Sequence, residues 1–184
     1  MEITRRKIKV HKSLHDLFGR ETTGLDLFAI LVGSITLTII ALLFHLDSEL
    51  LITPKIILAF LTLDIGGGII ANFTEGTNNY YSENIKKRYL FIAIHIVQPL
   101  ILSWIFPNNM LKILTFTVYT LTSSLIVTTI KQNNAQKTIA ATMVLLGIIL
   151  TFSFSFSTPL LQLILLVYSV KLILAFSVNW THSK

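Results

Sequence analysis

The stretch Ile56-Ile57-Leu58-Ala59-Phe60-Leu61-Thr62-Leu63-Asp64-Ile65-Gly66-Gly67-Gly68-Ile69-Ile70 decides how this chain is read. Its apolar character is that of a membrane-spanning helix, yet it carries one carboxylate among its apolar residues. An ionisable side chain at bilayer depth costs about 2.5–3.5 kcal/mol on insertion scales, so it needs a partner or a purpose. Lys171 and His95, each inside another apolar run, are the candidate partners.

The rest of the chain agrees with that reading. Of 184 residues, 53% are hydrophobic and 13% charged, and the mean hydropathy is +0.72. Soluble domains carry about 25% charged residues, so the deficit points to a membrane protein. Six apolar segments stand near the ~20 residues that cross a bilayer. They are Leu25–His45, Pro54–Phe73, Tyr89–Phe106, Met110–Ile130, Thr138–Ser157 and Leu160–Trp180. Strands of a membrane barrel alternate apolar and polar residues over about ten positions; these runs are longer and continuously apolar. The expected fold is an all-α, six-helix transmembrane bundle over residues 23–181, preceded by an N-terminal segment, residues 1–22.

Orientation follows from the basic residues. Arg5, Arg6, Lys7, Lys9, Lys12, Arg20, Lys86, Lys87, Arg88, Lys131, Lys137 and Lys184 fall on one side, against Lys55 and Lys112 on the other. The positive-inside rule places both termini in the cytoplasm of a cell (plasma or inner) membrane protein. The formal net charge of +6 is distributed in short blocks between spans, so no nucleic-acid partner is expected. Residues 1–20 read as a basic amphipathic helix, with Val10, Leu14, Leu17 and Phe18 at helical spacing, suited to anionic lipids. The first apolar run follows a long charged leader and lacks a small-residue cleavage site, unlike a secretory signal.

Counting ~1.5 Å per residue inward from Pro54 puts Asp64 about 15 Å deep, near the middle of a ~30 Å core. The same count from Pro159 puts Lys171 about 18 Å from that boundary. A lysine stem is too short to reach either surface from there, so an Asp64–Lys171 ion pair is expected. His95 lies about 10 Å inside Arg88 and approaches from the cytoplasmic side. Gln98 sits on the same face one turn on, beside Pro99, whose ring frees a backbone carbonyl near Ala93–His95.

Asp64, Gly68, Asn72 and Glu75 share a helix face at three- and four-residue spacing, a polar stripe descending to the cytoplasm. It leads into the polar connector Thr74–Arg88, so a polar vestibule bordered by Asn72 and Arg88 is expected there. Gly66, Gly67 and Gly68 weaken a helix interior by about 1 kcal/mol each, and mark either a break or close packing through small residues. The absence of cysteine excludes disulfides, thiolate zinc sites and thiol catalysis. His11 and His15 lack further metal ligands, no nucleophile–base set is visible, and no cofactor is expected. Phe152, Phe154 and Phe156 alternate with Ser153, Ser155 and Ser157 inside the fifth expected span.

Three functions fit these residues. The leading one is a transporter or channel-like protein that handles a small solute or proton, with Asp64 and His95 titrating and Lys171 as counter-charge. A second is a membrane-embedded enzyme on a lipid headgroup, Arg88 holding phosphate and Glu75 or His95 acting as base. The third is a non-catalytic scaffold or accessory subunit whose polar residues only pack helices.

Overall fold

The computed structural model describes residues 6–44 and 51–181; His45, the connector Leu46–Glu49, Arg5 and Lys184 lie outside that set. The described chain runs through β1 (Lys7–Lys9), α1 (His15–Phe18), β2 (Glu21–Thr23), α2 (Gly24–Leu43), α3 (Ile52–Phe73) and α4 (Glu75–Ser82). It continues with α5 (Ile85–Ile94), α6 (Val97–Ile105), α7 (Met110–Thr129), α8 (Asn133–Ser153) and α9 (Pro159–Ser169), which leads into a π-helix, Val170–Phe176. Among the described residues, six helical stretches are long and apolar enough to cross a membrane: α2, α3, Ile85–Ile105, Pro107–Thr129, α8 and Pro159–Phe176.

The last of these is the centre of the bundle. Leu160, Leu161, Ile164, Leu165 and Leu172 have no exposed surface, and Phe116 of α7 is equally buried beside them. The first, α2, is peripheral and packs mainly along α3. That pairing explains the glycine run. A Cβ on Gly66 would lie 2.6 Å from the Gly33 carbonyl oxygen, and one on Gly67 would lie 2.2 Å from Ser34 Oγ. Small residues let the two backbones approach, and α3 continues unbroken through all three glycines. Close packing, not unwinding, is their role.

The described part of the segment expected as one amphipathic helix, residues 6–20 of 1–20, does not form it. Gly19, at φ 72°, ends α1 in a conformation open to glycine and turns the chain back. The returning segment pairs antiparallel, Lys7 opposite Thr23 and Lys9 opposite Glu21. A Cβ on Gly19 would stand 2.0 Å from the Gly76 carbonyl oxygen, so the N-terminal segment rests directly on α4. The Thr77 hydroxyl donates to the Leu17 carbonyl at 3.1 Å, the Tyr81 hydroxyl donates to the Asp16 carbonyl at 3.1 Å, and Arg20 pairs with Glu83 at 2.7 Å. Thr23 then caps α2 reciprocally with Asp26.

Three further boundaries differ from the sequence expectation. The connector after α3 is helical, because Thr74 caps α4 by accepting from the Thr77 N–H. The fifth long helix runs Asn133–Ser153 rather than 138–157. The alternating Phe/Ser stretch has no helical apolar face; Phe154 is extended (φ −92°, ψ 135°), and its ring meets Phe156 edge-on at 5.7 Å. The third long apolar stretch is interrupted at His95–Ile96, between α5 and α6. Pro99 has no N–H for the His95 carbonyl four residues back, and the Tyr168 hydroxyl donates to it instead at 3.0 Å.

The last helix ends in a buried cluster of side-chain donors. Arg88 donates to the carbonyls of Phe176 (3.0 Å) and Val178 (3.3 Å), and Gln136 to that of Ser177 (3.1 Å). Asn78 donates to the Val178 carbonyl at 3.0 Å. Carbonyls at a helix C-terminus have no partner within the helix, and side chains of α4, α5 and α8 supply one here.

Candidate functional site

Asp64 projects from the middle of α3, and the π-helix brings Lys171 against it. Lys171 Nζ donates to Asp64 Oδ2 at 2.7 Å and to the Asp64 backbone carbonyl at 3.3 Å. Gln98 Nε2 donates to the same carboxylate oxygen. Gly68 makes the approach possible: a Cβ there would lie 2.5 Å from Lys171 Cε. The third glycine of the run therefore serves the lysine, whereas the first two serve α2.

Burial of the pair is unequal. The Lys171 side chain is 1% exposed and that of Asp64 49%. Asp64 Oδ1 accepts no hydrogen bond among the described residues, so one face of the carboxylate is open.

That face borders a cleft of about 540 Å³. Asp64, Lys171, His95, Asn72 and Ser34 are among its polar groups, and Ile30, Leu63, Phe91, Leu90 and Ile94 among its apolar walls. Leu90 and Ile94 are 60% and 57% exposed, so the rim beside α5 lies on the outer flank of the bundle. At the basic end Asp16, Leu17 and Phe18 of the N-terminal segment, Tyr80 and Tyr81 of α4 and Lys87 of α5 line the cleft. The expected polar vestibule is thus replaced by a site covered at that end and open at the side.

His95 stands at the break between α5 and α6. Its Nδ1 lies 2.6 Å from the Phe91 carbonyl oxygen, which can only accept, so Nδ1 carries the hydrogen. Nε2 is then the nitrogen left for proton exchange or for a ligand. The ring lies against Phe91, centroids 4.0 Å apart, and Phe91 stacks on Phe176 at 3.9 Å, which fixes the imidazole plane. Asn72 is 3% exposed and its Nδ2 has no partner among the described residues. Asn72 lines the cleft, and a buried amide donor without a partner is uncommon in a folded chain.

Two sequence-selected residues lie apart from this centre. Arg88 is buried on the carbonyls at the end of the π-helix, and Glu75 is exposed at the start of α4, 3.7 Å from Lys7. Sequence reading did not find Ser34, Phe91 or Tyr168. Tyr168 carried a signal, since it precedes Lys171 by one helical turn and the proline-freed carbonyl needed a donor. Lys87 Nζ donates to the Tyr80 hydroxyl at 2.6 Å at the covered end. Burial pushes the Tyr81 hydroxyl above the usual tyrosine range, and the charges of Asp16 and Tyr80 raise it further.

Comparison of the chain with protein-family models, with curated proteins and with solved structures finds no match in any of the three.

Proposed function

We propose that this chain crosses a cell membrane six times, with both termini cytoplasmic, and binds a small solute in the Asp64 cleft while exchanging protons there. The observation that carries the reading is a half-exposed carboxylate held from behind by a fully buried ammonium, both bordering one cleft with an imidazole. A pair that served only to join helices would gain nothing from leaving its carboxylate open. His95 has its hydrogen fixed on Nδ1, so Nε2 is the ring nitrogen through which a proton would be exchanged. Lys171 is the counter-charge with which a solute or proton competes for the carboxylate. The basic N-terminal segment, with Lys7, Lys9 and Lys12, rests at the cytoplasmic leaflet, where anionic lipids attract it.

The enzymatic alternative needs Arg88 free to hold a phosphate, with Glu75 or His95 as base. Arg88 is engaged with two carbonyls and Glu75 stands outside, so the geometry favours binding and movement over headgroup chemistry. Reconstitution into vesicles enclosing a pH-sensitive dye tests the proposal. After an imposed pH step, relaxation should be faster with the protein than in empty vesicles. The increment should vanish in Asp64→Asn and shrink in His95→Gln, each checked for monodisperse elution. Equal relaxation in wild type and folded Asp64→Asn sinks it.

A further inference from the structure

We infer that the occupant of the Asp64 cleft is an uncharged amphiphile with a hydroxyl-bearing head, entering sideways from the lipid. The inference rests on the reading of the cleft as a solute site and names the class of solute.

Charge decides the head. Asp64 and Lys171 neutralise each other at 2.7 Å, and the two other charged groups of the lining, Asp16 and Lys87, are opposite in sign, so a net charge added beside the pair would unbalance the cleft in a poorly polarisable setting. What the polar end lacks is neutral hydrogen bonding. Asn72 Nδ2 is a buried donor without an acceptor. Asp64 Oδ1 and His95 Nε2 are acceptors without a donor among the described residues. A hydroxyl both donates and accepts, and one or two of them satisfy this set without changing its charge.

The walls decide the body. Between the polar end and the rim the lining is Ile30, Leu63, Phe91, Leu90 and Ile94, and the volume of about 540 Å³ falls within the ~300–1,000 Å³ of small-molecule sites. The route follows from the two ends. The N-terminal segment covers the basic end through Leu17 and Phe18, held by the Tyr81–Asp16 and Thr77–Leu17 hydrogen bonds. The exposed rim of Leu90 and Ile94 instead meets acyl chains once the bundle lies in a bilayer. A water-soluble polar solute would meet no polar group at that rim. A long-chain alcohol or monoacylglycerol matches both rim and interior.

Three photoreactive alkyl diazirines of equal chain length, ending in a hydroxyl, an ammonium or a carboxylate, test this in phosphatidylcholine vesicles carrying the full chain. The hydroxyl probe should label the peptide spanning Leu90–Ile94 at least fivefold more than either charged probe. Excess unlabelled monoacylglycerol should compete it away. Ile94→Trp, which fills the rim from an exposed position, and Asn72→Leu, which removes the unpaired donor, should each cut labelling severalfold without altering elution. A charged probe that labels equally well overturns the inference, as does labelling that survives both substitutions. Proton flux that depends on Asp64 but no preference for the hydroxyl probe removes this inference and leaves the proposed function standing. No labelling of the cleft by any probe removes both.

Discussion

Lys171 and Asp64 form an ion pair whose two members have opposite surroundings: the ammonium is 1% exposed and the carboxylate 49%. The two charges are therefore not interchangeable in their effect on stability. The ammonium depends on its partner, whereas the carboxylate has access to the cleft.

Removing the two partners should have unequal consequences. Asp64→Ala strands a buried ammonium, and breaking a buried pair in this way costs about 3–5 kcal/mol. Lys171→Met leaves a carboxylate that is half-exposed and still bonded to Gln98, so the loss should be clearly smaller. Asp64→Leu combined with Lys171→Leu should recover most of the stability. Thermal unfolding in detergent ranks the three variants; equal losses in the two single variants contradict the asymmetry.

The glycines of α3 should separate by what each meets. A Cβ at Gly66 collides with the Gly33 backbone at 2.6 Å, which cannot yield without moving α2. Gly66→Ala should destabilise by about 1–3 kcal/mol, as overpacking does. At Gly67 the obstacle is the Ser34 hydroxyl, which can rotate, so Gly67→Ala should cost less. Melting temperatures of the two variants give the order directly.

Tyr168 and Pro99 should couple through the His95 carbonyl. Tyr168→Phe leaves that buried carbonyl without its donor, a loss of about 1–3 kcal/mol. Pro99→Ala restores a backbone N–H four residues on, so it should be less harmful, or even stabilising, when Tyr168 is already phenylalanine. A double-mutant cycle measures the coupling, and additive effects would refute a shared acceptor.

Tyr81 makes the cover over the basic end sensitive to alkali. Its folded hydroxyl holds its proton above the usual tyrosine range, so the folded state binds that proton more tightly than the unfolded chain. The associated stability is complete below about pH 10 and declines as pH rises above it. Tyr81→Phe, which lacks the bond to the Asp16 carbonyl, should be less stable at neutral pH. The gap between the two proteins should narrow above about pH 10 in denaturation series. A gap that widens with alkali reverses the assigned sign.

What could be read in advance divides along a physical line. The long helices were legible because hydrophobic run length is a local quantity; Pro54–Phe73 was expected where Ile52–Phe73 is found. The Asp64–Lys171 pairing was legible too, since counting along the chain from Pro54 and from Pro159 puts the two residues at nearly the same distance into their apolar stretches. The freed carbonyl near His95 followed from proline chemistry alone. Which donor would reach it did not, because Tyr168 comes from a helix more than seventy residues away.

The amino-acid sequence by itself determined the number and approximate limits of the apolar helices and placed one acid and one base at matching depth, because these depend on residues counted along the chain. The tertiary structure alone decided that Arg88 serves carbonyls at the end of the last helix, that the N-terminal segment turns back at Gly19 to cover α4, and that the cleft opens at its side. Depth can be counted from a sequence, but the angular position of each helix about its axis depends on packing against its neighbours. That rotation determines which polar atoms find partners and which are left facing a cavity.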